Sequence, residues 1–254
     1  MRNVGVVLRW WERLLGAAES GLGQRTGVCL WCGGRVRDRG RLAVLCARCN
    51  AEVPWIDEIV CLTCGRAEEC PDCVRRKSSY IAANRAAVKY TPFMKELLAR
   101  YKYRGSERLA PLFQEMAAYA YGLLPSPAVR TVLTFVPLSE RRLEERGFNQ
   151  AEVMARGVAG YYRLPVLPLL DRTRHTEKQS YKSRRERLES LDRAFALRDD
   201  GAASLREMLR TGPVRLVIVD DVYTTGSTMQ QCGGVIWRGI GSSSLTIYGL
   251  TWAR

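Results

Sequence analysis

Long hydrophobic runs are missing from this sequence of 254 residues. No uninterrupted apolar stretch approaches the roughly 20 residues that a transmembrane helix needs. The first segment does not supply the apolar region of a secretory signal peptide either, because Arg2, Arg9, Glu12 and Arg13 interrupt it. We therefore expect a cytoplasmic protein without a transmembrane segment.

Histidine and acidic residues are both scarce. The one histidine, His175, lies among charged residues with no base or nucleophile paired to it in the sequence, so we expect a solvated side chain rather than a catalytic one. Lysine and arginine number 40 against 26 acidic residues, which gives a net charge of +14. This excess favours polyanionic ligands, such as nucleic acid or phosphorylated metabolites, although it can also serve solubility.

Cysteine, by contrast, is abundant and occurs in Cys-x-x-Cys pairs. The pairs are Cys29/Cys32, Cys46/Cys49, Cys61/Cys64 and Cys70/Cys73. In a reducing cytoplasm such pairs bind metal more often than they form disulfides, and tetrahedral zinc takes two pairs. We predict two zinc sites filled in sequence order, the first two pairs holding one ion and the last two the other. An interleaved arrangement, or a single zinc with spare thiols, stays open.

The stretch Leu216–Thr228 joins a buried strand to a loop rich in hydroxyl groups. Leu216–Val219 is short, mostly β-branched and without helical periodicity, which predicts a strand buried on both faces. Met229–Arg238 has the pattern of a helix. Thr224–Thr228 would then lie between the strand and the helix N-terminus, where backbone N–H groups and the helix dipole favour a phosphate. Gly226 would let the backbone approach that phosphate closely.

Two adjacent acids, Asp220 and Asp221, end the predicted strand. Carboxylates beside a bound phosphate suit the two hydroxyls of a ribose, or a divalent metal. The plainer alternative is a helix capped by Ser227, with both acids merely solvated. A receiver-type acid pair does not fit, because only one strand-like segment, Ser243–Trp252, follows.

The remaining pattern is that of an α/β protein. Thr131–Val136 and Leu164–Leu170 are further strand candidates, and Asn149 is placed to cap a helix that continues to about Ala159. Arg172–Arg193 is long and polar, as expected of a solvated loop with a helix or of a lid. We predict three segments: an amphipathic N-terminal helix in residues 1–25, a Cys-rich zinc-binding domain in residues 26–77 and an α/β domain in residues 78–254.

These motifs carry a resemblance to known proteins. Val217–Thr228 resembles the phosphoribosyl pyrophosphate (PRPP) motif of type I phosphoribosyltransferases. Together with several other motifs, this stretch makes the chain similar to the ComF/GntX family. Within that family it resembles the ComFC type, which is associated with DNA uptake in natural competence. Those motifs are the cysteine cluster, Lys102–Gly105, Val136–Leu138, Arg146–Gln150, Gln179, Glu186–Arg187 and Ala194–Phe195.

The resemblance implies a type I phosphoribosyltransferase-like fold, a mostly parallel sheet flanked by helices, with zinc, magnesium and PRPP or a similar ribose-5-phosphate ligand. Asp220 and Asp221 would hold the ribose hydroxyls as catalytic residues, and Mg²⁺ would bridge ribose and pyrophosphate. The loop implied for PRPP comprises Val222, Tyr223, Thr224, Thr225, Gly226, Ser227 and Thr228. The pyrophosphate side would comprise Leu138, Ser139, Arg141, Arg142 and Arg146. A lid cation such as Arg172, Lys178 or Arg184 would close over it.

Two functions follow from this resemblance. The first is phosphoribosyl transfer to an acceptor during the handling of incoming single-stranded DNA. The second is a non-catalytic zinc protein that binds single-stranded DNA and uses the PRPP site for regulation, together with other competence proteins. Its candidate DNA contacts are Arg75, Arg76, Lys77, Lys102, Tyr103 and Arg104. The alternative is that Tyr101 and Tyr103 are core residues and the cations line the active-site mouth.

Overall fold

A computed structural model describes residues 27–36, 40–76, 78–103, 106–125, 129–173 and 194–254. Several predictions fall outside these ranges. They concern the amphipathic helix in residues 1–25, the motifs at Gln179 and Glu186–Arg187, and the side chains of Lys77, Arg104, His175, Lys178 and Arg184. The segment boundaries at residues 25–26 and 77–78 also stay predictions.

A parallel four-stranded sheet forms the centre of the described chain. Its strands are β1 (Asn84–Val88), β2 (Arg130–Phe135), β5 (Val214–Val222) and β6 (Leu245–Ala253), in the order β1-β6-β5-β2. A separate antiparallel pair consists of β3 (Leu170–Arg172) and β4 (Phe195–Leu197). The expected α/β fold is therefore confirmed, as are the strands predicted from the apolar runs that begin at Thr131 and Leu216 and from the run Ser243–Trp252.

Helices connect and cover these strands, as parallel neighbours require. They are α1 (Ala47–Ala51), α2 (Pro71–Arg75), α3 (Pro92–Tyr101), α4 (Ala110–Gly122), α5 (Glu140–Arg146), α6 (Gln150–Tyr162), α7 (Asp199–Arg210) and α8 (Ser227–Ile240), with a 3₁₀ turn at Glu107–Leu109. Asn149 caps α6 as predicted, its side chain accepting hydrogen bonds from the amides of Ala151 and Glu152. Within the described ranges, each helix is too short or too polar to cross a bilayer.

Each face of the sheet has its own apolar core. On one face, Val217 and Val219 of β5 pack with side chains from α3, α4 and α6, which we call the α4-side core. On the other face, Leu216 and Ile218 pack with side chains from α7 and α8, which we call the α8-side core. Alternate residues of β5 supply the two cores, and all four are fully buried, as expected of a central parallel strand.

One predicted strand is wrong in its bounds. Within Leu164–Leu170, only Val166 pairs with the sheet, through a single parallel bridge to Leu133. Pro165 and Pro168 interrupt this segment, and proline has no N–H to donate to a ladder. A strand begins only at Leu170, and it pairs with β4 instead of the main sheet.

Candidate functional site

The loop between β5 and α8 turns on Gly226. Its φ of 81° lies in the left-handed region, and a Cβ at this position would come within 2.2 Å of the Tyr223 hydroxyl. A side chain here would therefore meet both backbone strain and a buried ring. The predicted close turn before the helix is present, and Ser227 is the first residue of α8.

Two arginines occupy the carbonyl side of this loop. Arg76 donates to the Tyr223 hydroxyl at 2.9 Å and to the Thr225 carbonyl at 2.7 Å. Arg254, directly after β6, donates to the carbonyls of Tyr223 at 3.0 Å and Thr224 at 2.5 Å. Three successive carbonyl groups are thereby engaged by guanidinium groups.

The amide side of the loop is left without protein partners. The N–H groups of Thr224, Thr225 and Gly226 make no hydrogen bond to any residue that the structure describes. The Ser227 amide has only a long contact of 3.4 Å to the Thr225 hydroxyl. Successive free amides at the N-terminus of a 14-residue helix are the arrangement that binds phosphate.

The two acids face a cavity of about 270 Å³ beside this loop. Asp220 and Asp221 belong to the last part of β5, are half-buried, and line the cavity together with Thr224 and Thr228. Its remaining wall consists of Tyr90, Lys102, Val136, Pro137, Leu138, Arg142, Arg146, Asn149, Gln150, Ala151, Arg172 and Val222. The acids, part of the loop and part of the predicted pyrophosphate side thus meet around one space.

Charges in this cavity are crowded. Burial and the neighbouring Asp221 raise the pKa of Asp220 to about 8. Lys102 forms an ion pair with Asp221, with 2.5 Å between Nζ of Lys102 and Oδ2 of Asp221. On the cationic side, burial and then the charge of Arg142 lower the pKa of both Arg146 and Arg172. An anion bound among these three arginines would relieve their repulsion.

The segment Arg146–Gln150 lines the side of the cavity that carries the arginines. Gly147 ends α5 in the left-handed conformation, with φ of 82°. Asn149 then caps α6 and also donates to the Val136 carbonyl at 3.1 Å, which ties the helix to the end of β2. Arg146 is held by the Gln150 side chain at 2.8 Å. The segment therefore fixes the position of one arginine relative to the sheet edge.

Some predicted site residues do not line the cavity. Arg141 is paired with Glu145 at 2.8 Å, and its side chain is 87% exposed. Ser139 caps α5 by accepting a hydrogen bond from the Arg142 amide at 3.4 Å, and Tyr223 is buried beneath the loop. Conversely, Tyr90 lines the cavity and Arg254 supports the loop, and neither residue belongs to a recognisable sequence motif.

The candidate DNA contacts separate into different environments. Tyr101 is fully buried and stacks on Phe113 with 4.0 Å between ring centroids, so it is a core residue. Tyr103 is 72% exposed. Lys102 lines the cavity of the acid pair, and Arg76 donates a hydrogen bond to the loop between β5 and α8. Arg75 is exposed on α2.

The cysteines form two groups of four, in the predicted sequential pairing. Cys29, Cys32, Cys46 and Cys49 make one group, and Cys61, Cys64, Cys70 and Cys73 the other. The sulfur atoms of each group lie within 4.8 Å of one another, which is compatible with a tetrahedral zinc site. Gly33 and Gly65 follow the second cysteine of a pair with positive φ, the conformation of a tight knuckle turn.

The local environment shifts the pKa of these thiols in both directions. Burial, followed by hydrogen bonds from other cysteines of the same group, raises the pKa of Cys49 and of Cys73. Burial opposes ionisation of Cys29, but backbone hydrogen bonds from Cys32, Cys46 and Trp31 lower its pKa to about 7. In the second group, hydrogen bonds from Cys73 overcome the same burial penalty and lower the pKa of Cys70 to about 7. Thiolate is the form that binds zinc, so the donor set fits the metal.

Several characterised proteins are similar to this chain, although no family model matches it. It is 31% identical over 194 residues to competence protein ComFC of Bacillus subtilis, covering 73% of this chain and 74% of that protein. It is 30% identical over 221 residues to DNA utilization protein YhgH of Salmonella typhimurium, covering 84% and 85%. ComFC of Streptococcus pneumoniae is 27% identical over 225 residues, covering 80% and 90%.

Proposed function

Because this chain belongs to the ComF family of competence proteins, we propose that it binds PRPP and transfers its phosphoribosyl group during the use of incoming single-stranded DNA. The names of its relatives refer to competence and to DNA utilization, which fits that setting. We propose a cytoplasmic location, where PRPP is made.

One observation carries the proposal: the free amides of Thr224 and Thr225 lie beside an acid pair and a cluster of arginines. The amides suit the 5′-phosphate, Asp220 and Asp221 suit the ribose hydroxyls, and Arg142 with its neighbours suits the pyrophosphate. The loop from Val222 to Thr228 would hold the phosphate end.

The reaction needs little covalent chemistry from the protein. As pyrophosphate leaves, the anomeric carbon becomes cation-like and charge grows on the leaving oxygens. Asp220 and Asp221 would hold the sugar in place, while Arg142, Arg146 and Arg172 would neutralise the leaving group. Mg²⁺ supplies additional charge neutralisation when it is bound, and the paired carboxylate oxygens are ligands that suit it.

Zinc, in this proposal, is structural. Two groups of four cysteines leave no coordination position open for substrate, and small segments of this kind need metal to fold. The cysteine groups would therefore stabilise the segments that carry them and take no part in the reaction itself.

A second candidate is a regulatory protein that binds PRPP without turning it over. The observation in its favour is the exposed Tyr103 next to Lys102, because an aromatic ring beside cations can grip single-stranded DNA. In that case, PRPP bound at Asp221 would alter the ion pair between Asp221 and Lys102. The affinity for DNA would then change with PRPP concentration.

The test of PRPP binding is a calorimetric titration with Mg²⁺. The double variant Asp220→Asn/Asp221→Asn should lose binding by at least about 100-fold, since both ribose-binding carboxylates are gone. The exposed pair Asp199 and Asp200 at the start of α7 offers a matched control, and changing both to Asn should leave the affinity unchanged. Normal PRPP binding by the first variant would disprove the site.

Turnover separates the two candidates. Pyrophosphate release from PRPP and Mg²⁺ is measured with and without single-stranded oligonucleotides or mononucleotides. Release that depends on the added acceptor supports transfer. Tight PRPP binding with no release, together with a PRPP-dependent change in oligonucleotide affinity, supports the regulatory alternative. That affinity should also fall steeply with salt, as phosphate contacts require.

A further inference from the structure

A second cavity of about 390 Å³ adjoins the cavity of the acid pair. Its walls are Ile56, Arg66, Ala67, Glu68, Lys89, Tyr90, Thr91, Tyr223, Thr224 and Arg254. It shares only Tyr90 and Thr224 with the cavity of the acid pair. Its volume falls within the range of roughly 300–1,000 Å³ that is usual for small-molecule sites.

We propose that this second cavity is the acceptor site and that it takes a nucleotide, either free or at the end of a DNA strand. The inference rests on the proposed function and adds the substrate class to it. Three features of the wall support a nucleotide: cations for its phosphate, an aromatic ring for its base, and a carboxylate for a base N–H.

The phosphate would lie near Arg66 and Lys89. Lys89 is exposed, and the side chain of Arg66 is 30% exposed with only a long contact of 3.5 Å to Glu68. Thr91 caps the ten-residue helix α3, so the N-terminal end of that helix faces the same cavity. Two cations and a helix N-terminus together favour an anion.

The base would contact the ring of Tyr90. This side chain is 38% exposed although it lies between two cavities, so part of its surface is open to a ligand. Stacking on an aromatic ring accepts any base. The carboxylate of Glu68, 73% exposed, can accept a hydrogen bond from a base amino or ring N–H group.

The position also fits the direction of the reaction. The acceptor must approach the anomeric carbon from the side opposite the departing pyrophosphate. Arg142, Arg146 and Arg172 all line the first cavity and none lines the second, so the leaving group and the acceptor would be kept apart. The acceptor nitrogen forms the new bond to the anomeric carbon, the bond to pyrophosphate breaks, pyrophosphate keeps the electron pair, and the acceptor proton passes to water or to Glu68.

The test uses the full-length zinc-loaded protein and two calorimetric titrations. One titrant is PRPP with Mg²⁺. The other is a nucleotide probe, either the four deoxynucleoside 5′-monophosphates or a ten-nucleotide single strand, with and without PRPP. The variant is Arg66→Ala/Lys89→Ala. The matched control, Arg48→Ala/Lys95→Ala, removes the same charges from exposed positions outside both cavities.

We expect the Arg66→Ala/Lys89→Ala variant to bind the nucleotide probe at least about tenfold more weakly and PRPP within about twofold of the unchanged protein. The control should match the unchanged protein in both titrations. Binding of monophosphates indicates a free nucleotide, and binding of the strand alone indicates a DNA end.

The other outcomes would contradict either the acceptor site alone or the proposed function together with it. If PRPP binds and no nucleotide probe does, or if the double variant binds the probe normally, the acceptor site is wrong and the proposed function survives. If PRPP itself fails to bind the unchanged protein, the proposed function falls and the acceptor role falls with it.

Discussion

The two cysteine groups have the same ligands but different neighbours. Cys29 and Cys49 are buried in the α4-side core, with Trp31 packed edge-on against Phe93 of α3 at 4.8 Å. Cys64 and Cys70 are buried in the α8-side core. We call the two groups the first and second cysteine clusters, and each lies on its own face of the sheet.

Among the described residues, hydrogen bonds connect the second cluster with the loop of the candidate site. Arg254 donates to the sulfur of Cys70 at 3.5 Å and also to the loop carbonyls at Tyr223 and Thr224. Arg76, which caps the helix carrying Cys73, donates to the same loop. Two clusters of the same ligand type therefore both pack in a core, and the second in addition contacts residues that hold the candidate loop.

Substitutions that remove one cluster or the other should have the largest effects, on zinc content, on stability and on PRPP affinity. The changes are Cys46→Ser/Cys49→Ser in the first cluster and Cys70→Ser/Cys73→Ser in the second. Each should reduce bound zinc from about two ions to about one, measured by metal analysis. Both should lower the melting temperature, because metal binding is coupled to the folding of a segment packed on a core, but the first should leave PRPP affinity per folded molecule unchanged.

The second-cluster variant should also lose stability, because this cluster packs in the α8-side core. In addition it should bind PRPP at least about tenfold more weakly, because the loop loses its support. Affinity is expressed per folded molecule, so a partial loss of folding does not hide the result. PRPP binding at the normal affinity in Cys70→Ser/Cys73→Ser would show that the second cluster does not position the loop.

The variant Arg76→Ala tests the contact between the second cluster and the loop while all cysteine ligands stay in place. The change removes two hydrogen bonds to the loop, to the Tyr223 hydroxyl and the Thr225 carbonyl. A loss of about 1–2 kcal/mol, or roughly five- to thirtyfold in PRPP affinity, follows. Calorimetry measures the affinity and metal analysis the zinc, which should stay unchanged.

The neighbouring Arg75→Ala is the control for that change. Arg75 is exposed on the same helix, so its loss should leave both PRPP affinity and zinc content as they were. Equal effects of the two variants would mean that charge near the site matters and the hydrogen bonds from Arg76 do not.

Glu115 should make the α4 side of the molecule sensitive to pH, with the smallest effect. Burial raises its pKa to about 7 from 4.5, against a hydrogen bond from the Ala43 backbone that lowers it. The folded state thus favours the protonated carboxyl, so stability present below about pH 4.5 is lost as the pH rises through about 7. Because the side chain is partly solvated, the loss is on the order of 1 kcal/mol.

The variant Glu115→Gln should therefore melt about 2–4 °C higher than the unchanged protein at pH 8, and the difference should shrink toward pH 6. Thermal unfolding monitored by circular dichroism measures it. The PRPP affinity should not change, since Glu115 lies on α4 away from the candidate site. A difference that is constant with pH would rule out titration of this carboxyl as the cause.

The sequence predicted the parts of the fold in which local pattern and tertiary role agree. β5 contains the apolar run Leu216–Val219, and the cysteine pairs have the spacing that zinc requires, so both could be identified directly. The cap at Asn149 is likewise a local signal. For these elements, neighbouring residues alone determine the structure.

Strand β1 could not be predicted in this way. It contains Asn84 and Arg85, which are fully or nearly fully buried, so its sequence does not look like an inner strand. Their partners are distant in sequence: Asn84 donates to the carbonyl of Cys64, and Arg85 donates to that of Leu62. The second cysteine cluster supplies the acceptors that make a polar buried strand stable.

The loop contacts of Arg76 and Arg254 could not be predicted for the same reason, although Arg76 is a candidate DNA contact in the sequence. Arg76 is 147 positions from the Tyr223 hydroxyl that it contacts, and Arg254 is 184 positions from the sulfur of Cys70. Neither belongs to a motif with a fixed spacing. Tyr90 faces the site only because β1 lies at the edge of the sheet next to β6.

The most direct test is a crystal structure of the protein grown with PRPP and Mg²⁺. The account predicts that the 5′-phosphate oxygens lie about 2.7–3.2 Å from the amides of Thr224, Thr225 and Gly226, with the ribose hydroxyls on Asp220 and Asp221. A phosphate bound elsewhere, or these amides turned toward protein acceptors in the complex, would contradict it.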